Sequence, residues 1–83
     1  MLTIKVLGPG CANCKRVEQL TRKAVQQLDV EADIQKVTNH AEILDMGVLS
    51  TPGLAINDQV VCKGRIPSLD EITGYINDAS AKN

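Results

Sequence analysis

The chain has 83 residues, which is enough for one small domain but leaves no room for a second hydrophobic core. Hydrophobic residues make up 43% of it and charged residues 23%, a balance that excludes a disordered chain. With 1% aromatic residues and a formal net charge of −1, the sequence lacks the stacking rings and the positive charge by which proteins bind nucleic acids.

The N-terminal third of the chain predicts a strand followed by a long helix. Apolar and polar residues alternate over residues 2–7, and Gly8-Pro9-Gly10 ends the strand that this alternation predicts. From Ala12 onward, apolar residues recur at steps of three and four, which predicts an amphipathic helix of about four turns. The apolar face of this helix comprises Val17, Leu20, Ala24 or Val25, and Leu28.

The middle of the chain predicts a second strand and a short second helix. Alternation returns over residues 32–38 and indicates the strand. Asn39 and Glu42 form the pattern of a helix cap, in which a side chain at the helix start and a later carboxylate bond reciprocally to backbone N–H groups. The predicted helix runs to Met46, and Gly47 stops it.

The C-terminal third predicts a hairpin and a last helix. Residues 53–57 and 60–63 are predicted strands on either side of a turn at Asn57-Asp58. Ser68 and Glu71 repeat the capping pattern and start the helix. Its apolar stripe comprises Leu69, Ile72 and Ile76.

Together these elements predict a single α/β domain over residues 1–83, in the order β-α-β-α-β-β-α, with residues 79–83 as a frayed tail. The first strand–helix–strand unit requires its two strands to be parallel, whereas the last two strands require only a hairpin. We therefore expect a four-stranded mixed sheet with helices on both faces.

The pattern with the clearest chemistry is Cys11-Ala12-Asn13-Cys14, at the junction of the first strand and the first helix. Unpaired backbone N–H groups and the helix dipole stabilise an anion at a helix start, and they favour the thiolate of Cys11 there. A thiolate is the attacking species in disulfide exchange, and the spacing lets Cys14 reach back to Cys11 from one turn inside the helix. Positive charge near the motif is expected from Lys5, Lys15 and Arg16.

A second pattern, Ser50-Thr51-Pro52-Gly53, stands at the entrance to the third predicted strand. Proline cannot donate a hydrogen bond to a sheet, so it has a positional reason at the first residue of a strand. A cis bond between Thr51 and Pro52 would let the Thr51 backbone face the cysteine pair. Because this proline follows a β-α-β-α segment and precedes a hairpin, it is much stronger evidence for such a cis turn than a proline would be alone.

A family resemblance follows from these motifs taken in order. A strand, Gly8-Pro9-Gly10-Cys11-Ala12-Asn13-Cys14, a helix, Thr51-Pro52-Gly53, a hairpin, Gly64-Arg65-Ile66-Pro67 and a final helix succeed one another. This succession resembles the thioredoxin superfamily, in particular its minimal, glutaredoxin-sized redox-active disulfide proteins, and it covers essentially the whole chain. The resemblance implies a thioredoxin-like fold and a thiol–disulfide oxidoreductase without cofactor or metal.

The resemblance also implies roles at the matching positions. Cys11 would attack a substrate disulfide, and Cys14 would be the buried cysteine that resolves the mixed disulfide. Thr51 and Pro52 would form a cis-proline turn that aligns the substrate and keeps metal off the thiols. The implied partners are a disulfide-containing protein or small-thiol substrate, and a reductase that restores the dithiol.

Several positions depart from the better-known family patterns. Ala12-Asn13 replaces the Gly-Pro of thioredoxin and the Pro-Tyr of glutaredoxin, so neither redox potential carries over. No Trp precedes Cys11, and the first strand carries Lys5 but none of the carboxylate that assists the resolving cysteine in thioredoxin. The motif tyrosine of glutaredoxins is absent, and Gly64 stands alone where they often have a glycine pair, which puts glutathione use in doubt.

Binding of a soft metal is the main alternative, because thiolates at this spacing suit copper(I). Copper(I)-carrying domains, however, normally have a methionine where this chain has Pro9, follow the order β-α-β-β-α-β, and have no counterpart of Thr51-Pro52. A structural zinc site has less support than copper(I) binding, because it needs four ligands and the sequence offers only 3 Cys and 1 His in all. Binding of arsenite or another thiophile by the dithiol, with or without Cys62, stays open.

The remaining candidate residues have simpler interpretations. We expect Cys62 to be a buried strand residue and His40 to be an exposed residue at a helix start. We expect Met46 to be a core residue, and Tyr75 to pack its ring with its hydroxyl at the surface. No apolar run is long enough to span a bilayer, and 3 cysteines, an odd count, argue against a secreted disulfide framework. We expect a monomeric, cytoplasmic protein without a membrane partner.

Overall fold

The computed structural model describes residues 2–10 and 12–81, with side chains described as far as residue 80. The elements follow the predicted order: β1 (Leu2–Leu7), α1 (Ala12–Leu28), β2 (Ala32–Val37), α2 (His40–Asp45), β3 (Gly53–Ile56), β4 (Gln59–Lys63) and α3 (Leu69–Ala81). Residues 79–81, predicted as part of a tail, are helical and extend α3, and residues 82–83 lie outside the described part. No helix in the described ranges is long and apolar enough to cross a membrane.

The four strands form one mixed sheet in the order β2-β1-β3-β4. β1 and β2 are parallel, with Ile4 opposite Ile34, and α1 connects them. β3 is antiparallel to both β1 and β4, and Leu7 at the end of β1 lies opposite Gly53 at the start of β3. This register brings the segment after β1, which leads to the cysteine motif, next to the segment before β3, which contains Pro52.

The apolar core has two layers, one on each face of the sheet. The larger layer, under α1 and α3, consists of Leu2, Ile4, Val6, Val17, Ala24, Leu54, Ile56, Cys62, Ile72 and Ile76. The smaller layer, under α2, consists of Leu7, Val37, Ile43, Val48 and Ala55. The prediction of helices on both faces is therefore confirmed. Apart from Cys62, the buried residues of both layers are aliphatic, in keeping with a sequence that has no Phe or Trp.

Side-chain caps define where α2 and α3 begin. The Asn39 Oδ1 atom accepts hydrogen bonds from the backbone N–H groups of Ala41 at 2.8 Å and Glu42 at 3.3 Å. Ser68 N–H donates to Glu71 Oε1 at 3.2 Å, and Glu71 N–H donates to Ser68 Oγ at 3.2 Å. Asn39 thus caps α2 as predicted, but within the described residues the Glu42 carboxylate does not bond back to it, and the reciprocal capping bonds are confirmed at α3 alone.

The hairpin between β3 and β4 turns at Asn57 and Asp58, as predicted. Both residues have positive φ, 52° and 66°, which is the backbone of a tight turn that matches the twist of the strands. The Asn57 N–H donates to the Thr3 carbonyl at 2.8 Å and holds the turn against β1. Lys5 Nζ lies 2.8 Å from Asp58 Oδ1. The prediction that Lys5 adds charge near the cysteine motif was therefore wrong, because its ammonium lies at this turn, at the opposite end of β3 from Pro52.

Candidate active site

The cysteine motif lies where β1 ends and α1 begins. Residues 12–14 form the first turn of α1, and Cys11 lies outside the described residues. Ala12 and Asn13 are exposed, whereas Cys14 is buried, with 4% of its surface exposed. The motif therefore presents its central dipeptide to solvent and keeps its second sulfur inside the protein.

Thr51 and Pro52, which we call the proline turn, lead into β3. The peptide bond between them is cis. Thr51 is exposed and Pro52 is buried, and the Gly64 N–H donates to the Pro52 carbonyl at 3.0 Å. Gly64 has a φ of 76°, in the left-handed region that favours glycine. The proline turn is thus tied to the chain that leaves β4.

The cysteine motif and the proline turn meet at Gly8, the first residue after β1. A methyl group at Gly8 would overlap Cys14 Sγ and would lie 3.7 Å from the Cβ of Thr51. Gly8 itself is held by a hydrogen bond from its N–H to the Val37 carbonyl at 2.9 Å. The structure therefore places Cys14 and Thr51 together, next to the space that a side chain at Gly8 would occupy, at the end of the sheet.

A small hollow of about 50 Å³ opens beside Cys14. It is lined by Val6, Gly8, Gly10, Cys14, Lys15, Glu18, Lys36 and Thr38. Lys36 Nζ lies 3.2 Å from Glu18 Oε1, and Arg22 Nη2 donates to Glu18 Oε2 at 2.9 Å. The hydrogen bond from Arg22 lowers the pKa of the Glu18 carboxyl, and Lys36 lowers it further, so Glu18 is ionised at neutral pH.

The hollow contains a carboxylate that the sequence analysis missed. Glu18 and Arg22 stand four residues apart on a predicted helix, a spacing that could have indicated their ion pair. Lys36, however, comes from β2, and neither spacing nor periodicity indicates that it meets α1. Lys15 and Arg16, two of the cations expected near the motif, are both exposed, and of the two Lys15 lines the hollow.

An ion pair that the sequence analysis also missed holds the loop after β4 against α3. Arg65 Nη1 donates to Glu71 Oε1 at 3.0 Å, and Nη2 donates to Glu71 Oε2 at 2.5 Å. Because Arg65 follows Gly64, this pair anchors the loop that bonds to the proline turn. The Arg65 guanidinium, by hydrogen bonding, lowers the pKa of Glu71 to about 2.

This ion pair predicts a pH-dependent contribution to stability. The pKa of Glu71 falls from an ordinary value of 4.5 to about 2 in the folded protein, so the contribution is present above about pH 4.5 and is lost as the pH falls toward 2. In urea unfolding, Glu71→Gln should be less stable than the wild type at neutral pH, and the difference in stability should shrink progressively as the pH falls from about 4.5 toward 2. Glu31→Gln, an exposed control, should show no such convergence. A difference between wild type and Glu71→Gln that is constant across this range would contradict the assignment.

Of the four residues given simpler interpretations, Cys62 and His40 lie as expected, whereas Met46, expected in the core, is half-buried at its edge. Cys62 is buried in the larger core layer, His40 is exposed at the start of α2, and Met46 packs against the smaller layer. Tyr75 packs against the larger layer, and its hydroxyl donates to Glu71 Oε2 at 3.4 Å. Burial, followed by the negative charge of Glu71, raises the pKa of Tyr75.

Known proteins resemble this chain over most of its length, including the cysteine motif and the proline turn. A family model described as a thioredoxin domain matches residues 2–77. A protein named thioredoxin from Methanothermobacter thermautotrophicus is 38% identical over 72 residues, which are 87% of this chain and 94% of that relative. A protein of the same name from Methanocaldococcus jannaschii is 42% identical over 72 residues, 87% of this chain and 83% of the relative. Because the family match extends over the whole sheet, both motifs and most of α3, the chain belongs to the thioredoxin family.

Proposed function

We propose that the protein is a thiol–disulfide oxidoreductase that works through Cys11 and Cys14. The observation that carries the proposal is that Cys14, in the first turn of α1, and Thr51 of the proline turn both lie beside Gly8. Membership of the thioredoxin family supports a redox function of this general kind. The sequence position of Cys11, one residue before α1, supports its assignment as the reacting partner of Cys14.

Cys11 carries out the first step of the proposed reaction. α1 has 17 residues and begins directly after Cys11, so its dipole and its unpaired N–H groups favour a thiolate at that position. The thiolate attacks one sulfur of a substrate disulfide. A bond forms between Cys11 and that sulfur, the substrate S–S bond breaks, and the other substrate sulfur leaves as a thiolate.

Cys14 carries out the second step. Its burial keeps a bulky substrate away from its sulfur, while its place in the first turn of α1 keeps it close to residue 11. The Cys14 thiol gives its proton to the first substrate thiolate and its sulfur attacks the sulfur of Cys11, the Cys11–Cys14 disulfide forms, and the second substrate sulfur leaves as a thiolate. The substrate has then gained two electrons, and the protein has lost them.

Thr51, Pro52 and the motif dipeptide complete the proposed site. Thr51 is exposed beside Gly8, so its backbone can align an extended substrate segment, while buried Pro52 holds the turn. Ala12 and Asn13 are the exposed residues between the two sulfurs, and they tune the redox potential. The reaction requires a protein or small-molecule disulfide as substrate, a reductase or small thiol as electron donor, and a reducing compartment such as the cytoplasm.

Soft-metal binding by the same two thiols has less support. In the copper(I)-carrying domains considered above, the second strand leads directly to a third, whereas here α2 separates β2 from β3. The relatives described above carry the name thioredoxin rather than that of a metal carrier. No specific contact favours arsenite over a disulfide substrate, so disulfide exchange is the function that we retain.

The proposal is tested by the reduction of insulin with dithiothreitol. The wild type should accelerate the reaction, and after oxidation its peptide map should contain a Cys11–Cys14 disulfide. Cys62→Ala should keep this activity, because Cys62 lies in β4, within the larger core layer. A wild type that is inactive in this assay but binds copper(I) tightly would overturn the proposal.

A further inference from the structure

Gly8 is buried and follows β1, yet its backbone conformation does not require glycine. Positive φ values, which favour glycine, occur at Gly10, Gly47 and Gly64, but not at Gly8. An alanine could therefore adopt the Gly8 backbone without strain. The reason for a glycine at this position must lie in the space around it.

That space is occupied by the second cysteine. A methyl group at Gly8 would overlap Cys14 Sγ, would lie 3.2 Å from Cys14 Cβ, and would lie 3.7 Å from Thr51 Cβ. We propose that Gly8 is a positioning residue for disulfide exchange, whose missing side chain lets the Cys14 sulfur lie against the end of β1, the place from which it carries out the resolving step. This inference rests on the proposed function, because it concerns the resolving step of the same reaction.

The resolving step is sensitive to the place of this sulfur. Cys14 must approach the sulfur of Cys11 along the axis of the bond that breaks, and a displacement of about 1 Å of a reacting atom can slow a reaction about 100-fold. The first step does not use the Cys14 sulfur. A methyl group at Gly8 should therefore slow the second step and leave the first step unchanged.

The hollow beside Cys14 makes this substitution compatible with folding. Gly8 and Cys14 both line it, and Sγ is the end of a side chain that can turn about its Cα–Cβ bond. In Gly8→Ala the sulfur can therefore move toward the hollow rather than force β1 and α1 apart. The expected variant is folded, with the sulfur displaced.

The experiment uses an aromatic disulfide, dithionitrobenzoate, in limiting amount, with the reduced protein in a Cys62→Ala background. Attack by Cys11 releases one coloured thiolate, and resolution by Cys14 releases the second, so one absorbance trace reports both steps. In Gly8→Ala the first release should stay within about twofold of the parent rate, and the second should slow at least about tenfold. Gly74→Ala is the matched control, because a methyl group at Gly74 meets no atom within 4 Å, and both of its rates should equal those of the parent.

Three outcomes of this experiment are distinguishable. A parent protein that never releases the second thiolate would overturn the proposed function itself. A parent that releases both, together with a Gly8→Ala variant that does so at unchanged rates, would overturn only the role of Gly8. A second release that is slow in Gly8→Ala but not in the parent or in Gly74→Ala would support the role of Gly8.

A double-mutant comparison tests the same contact without catalysis. Cys14→Ala removes the sulfur that a methyl group at Gly8 would meet, so the stability lost on Gly8→Ala should be smaller in the Cys14→Ala background. We expect the difference to be at least about fivefold in the folding equilibrium constant, measured by urea unfolding. An equal loss in both backgrounds would show that the methyl group meets something other than the sulfur and would overturn the proposal.

Discussion

Cys14→Ser should convert the protein from a catalyst into a trap for its substrate. Cys11 still attacks the substrate disulfide in this variant, but no thiolate is available at residue 14 to release it. Turnover in the insulin assay should fall at least about 100-fold, as expected when one member of a nucleophilic pair is removed. A covalent adduct between Cys11 and the substrate should accumulate. Because Cys14 is buried with 4% exposed, no second substrate molecule should react at that position in the wild type.

Intact mass measurement of the protein after incubation with substrate checks this expectation. Cys11→Ser should lose turnover to the same extent but should form no adduct, because the attacking sulfur is missing. Cys62→Ser is the matched control for a cysteine-to-serine change and should keep turnover without trapping. Adduct formation on Cys11→Ser rather than on Cys14→Ser would reverse the proposed roles of the two cysteines.

The elements that the sequence predicted correctly are those with local signals. Alternation marks β1, a three- and four-residue repeat marks α1, and caps at Asn39 and Ser68 mark the starts of α2 and α3. The turn at Asn57-Asp58 likewise depends on neighbouring residues alone. Each of these signals lies within a few residues of the structure that it specifies, so no knowledge of the fold is needed to interpret it.

What the sequence did not predict depends on contacts between distant segments. Lys36 is on β2 and Glu18 on α1, and their ion pair arises from how the helix lies over the sheet. Lys5 is the opposite case: it is near the cysteines in the sequence, which suggested that its charge lies beside them, but its ammonium pairs with Asp58 instead. A lysine side chain pairs with whatever acid the sheet register brings close, and the register is not visible in local spacing.

Gly8 illustrates the same limit within the site. In the sequence, Gly8-Pro9-Gly10 indicates only where the first strand ends. In the structure only Gly10 has a left-handed backbone, with a φ of 95°, whereas Gly8 is a packing position against Cys14. Local pattern identifies the break after β1, but the approach of a sulfur to the backbone becomes visible only when α1 is placed on the sheet.

Leu54→Ala should lower the free energy of unfolding by about 3–5 kcal/mol, the range for deleting a fully buried leucine side chain. Leu54 is 0% exposed, lies in β3 between Val6 of β1 and Cys62 of β4, and belongs to the core layer under α1 and α3. Neighbouring aliphatic side chains that are already close-packed cannot fill the cavity that the truncation leaves. For a small domain, whose total stability is about 5–15 kcal/mol, such a loss is a large fraction of the whole.

Leu49→Ala is the matched control, because it deletes the same atoms from a side chain that is 86% exposed. Its free energy of unfolding should stay within about 0.5 kcal/mol of the wild type. Both variants should be measured by urea unfolding in the reduced state, so that no disulfide contributes to the difference. Equal losses for the two leucines would contradict the placement of Leu54 in the core.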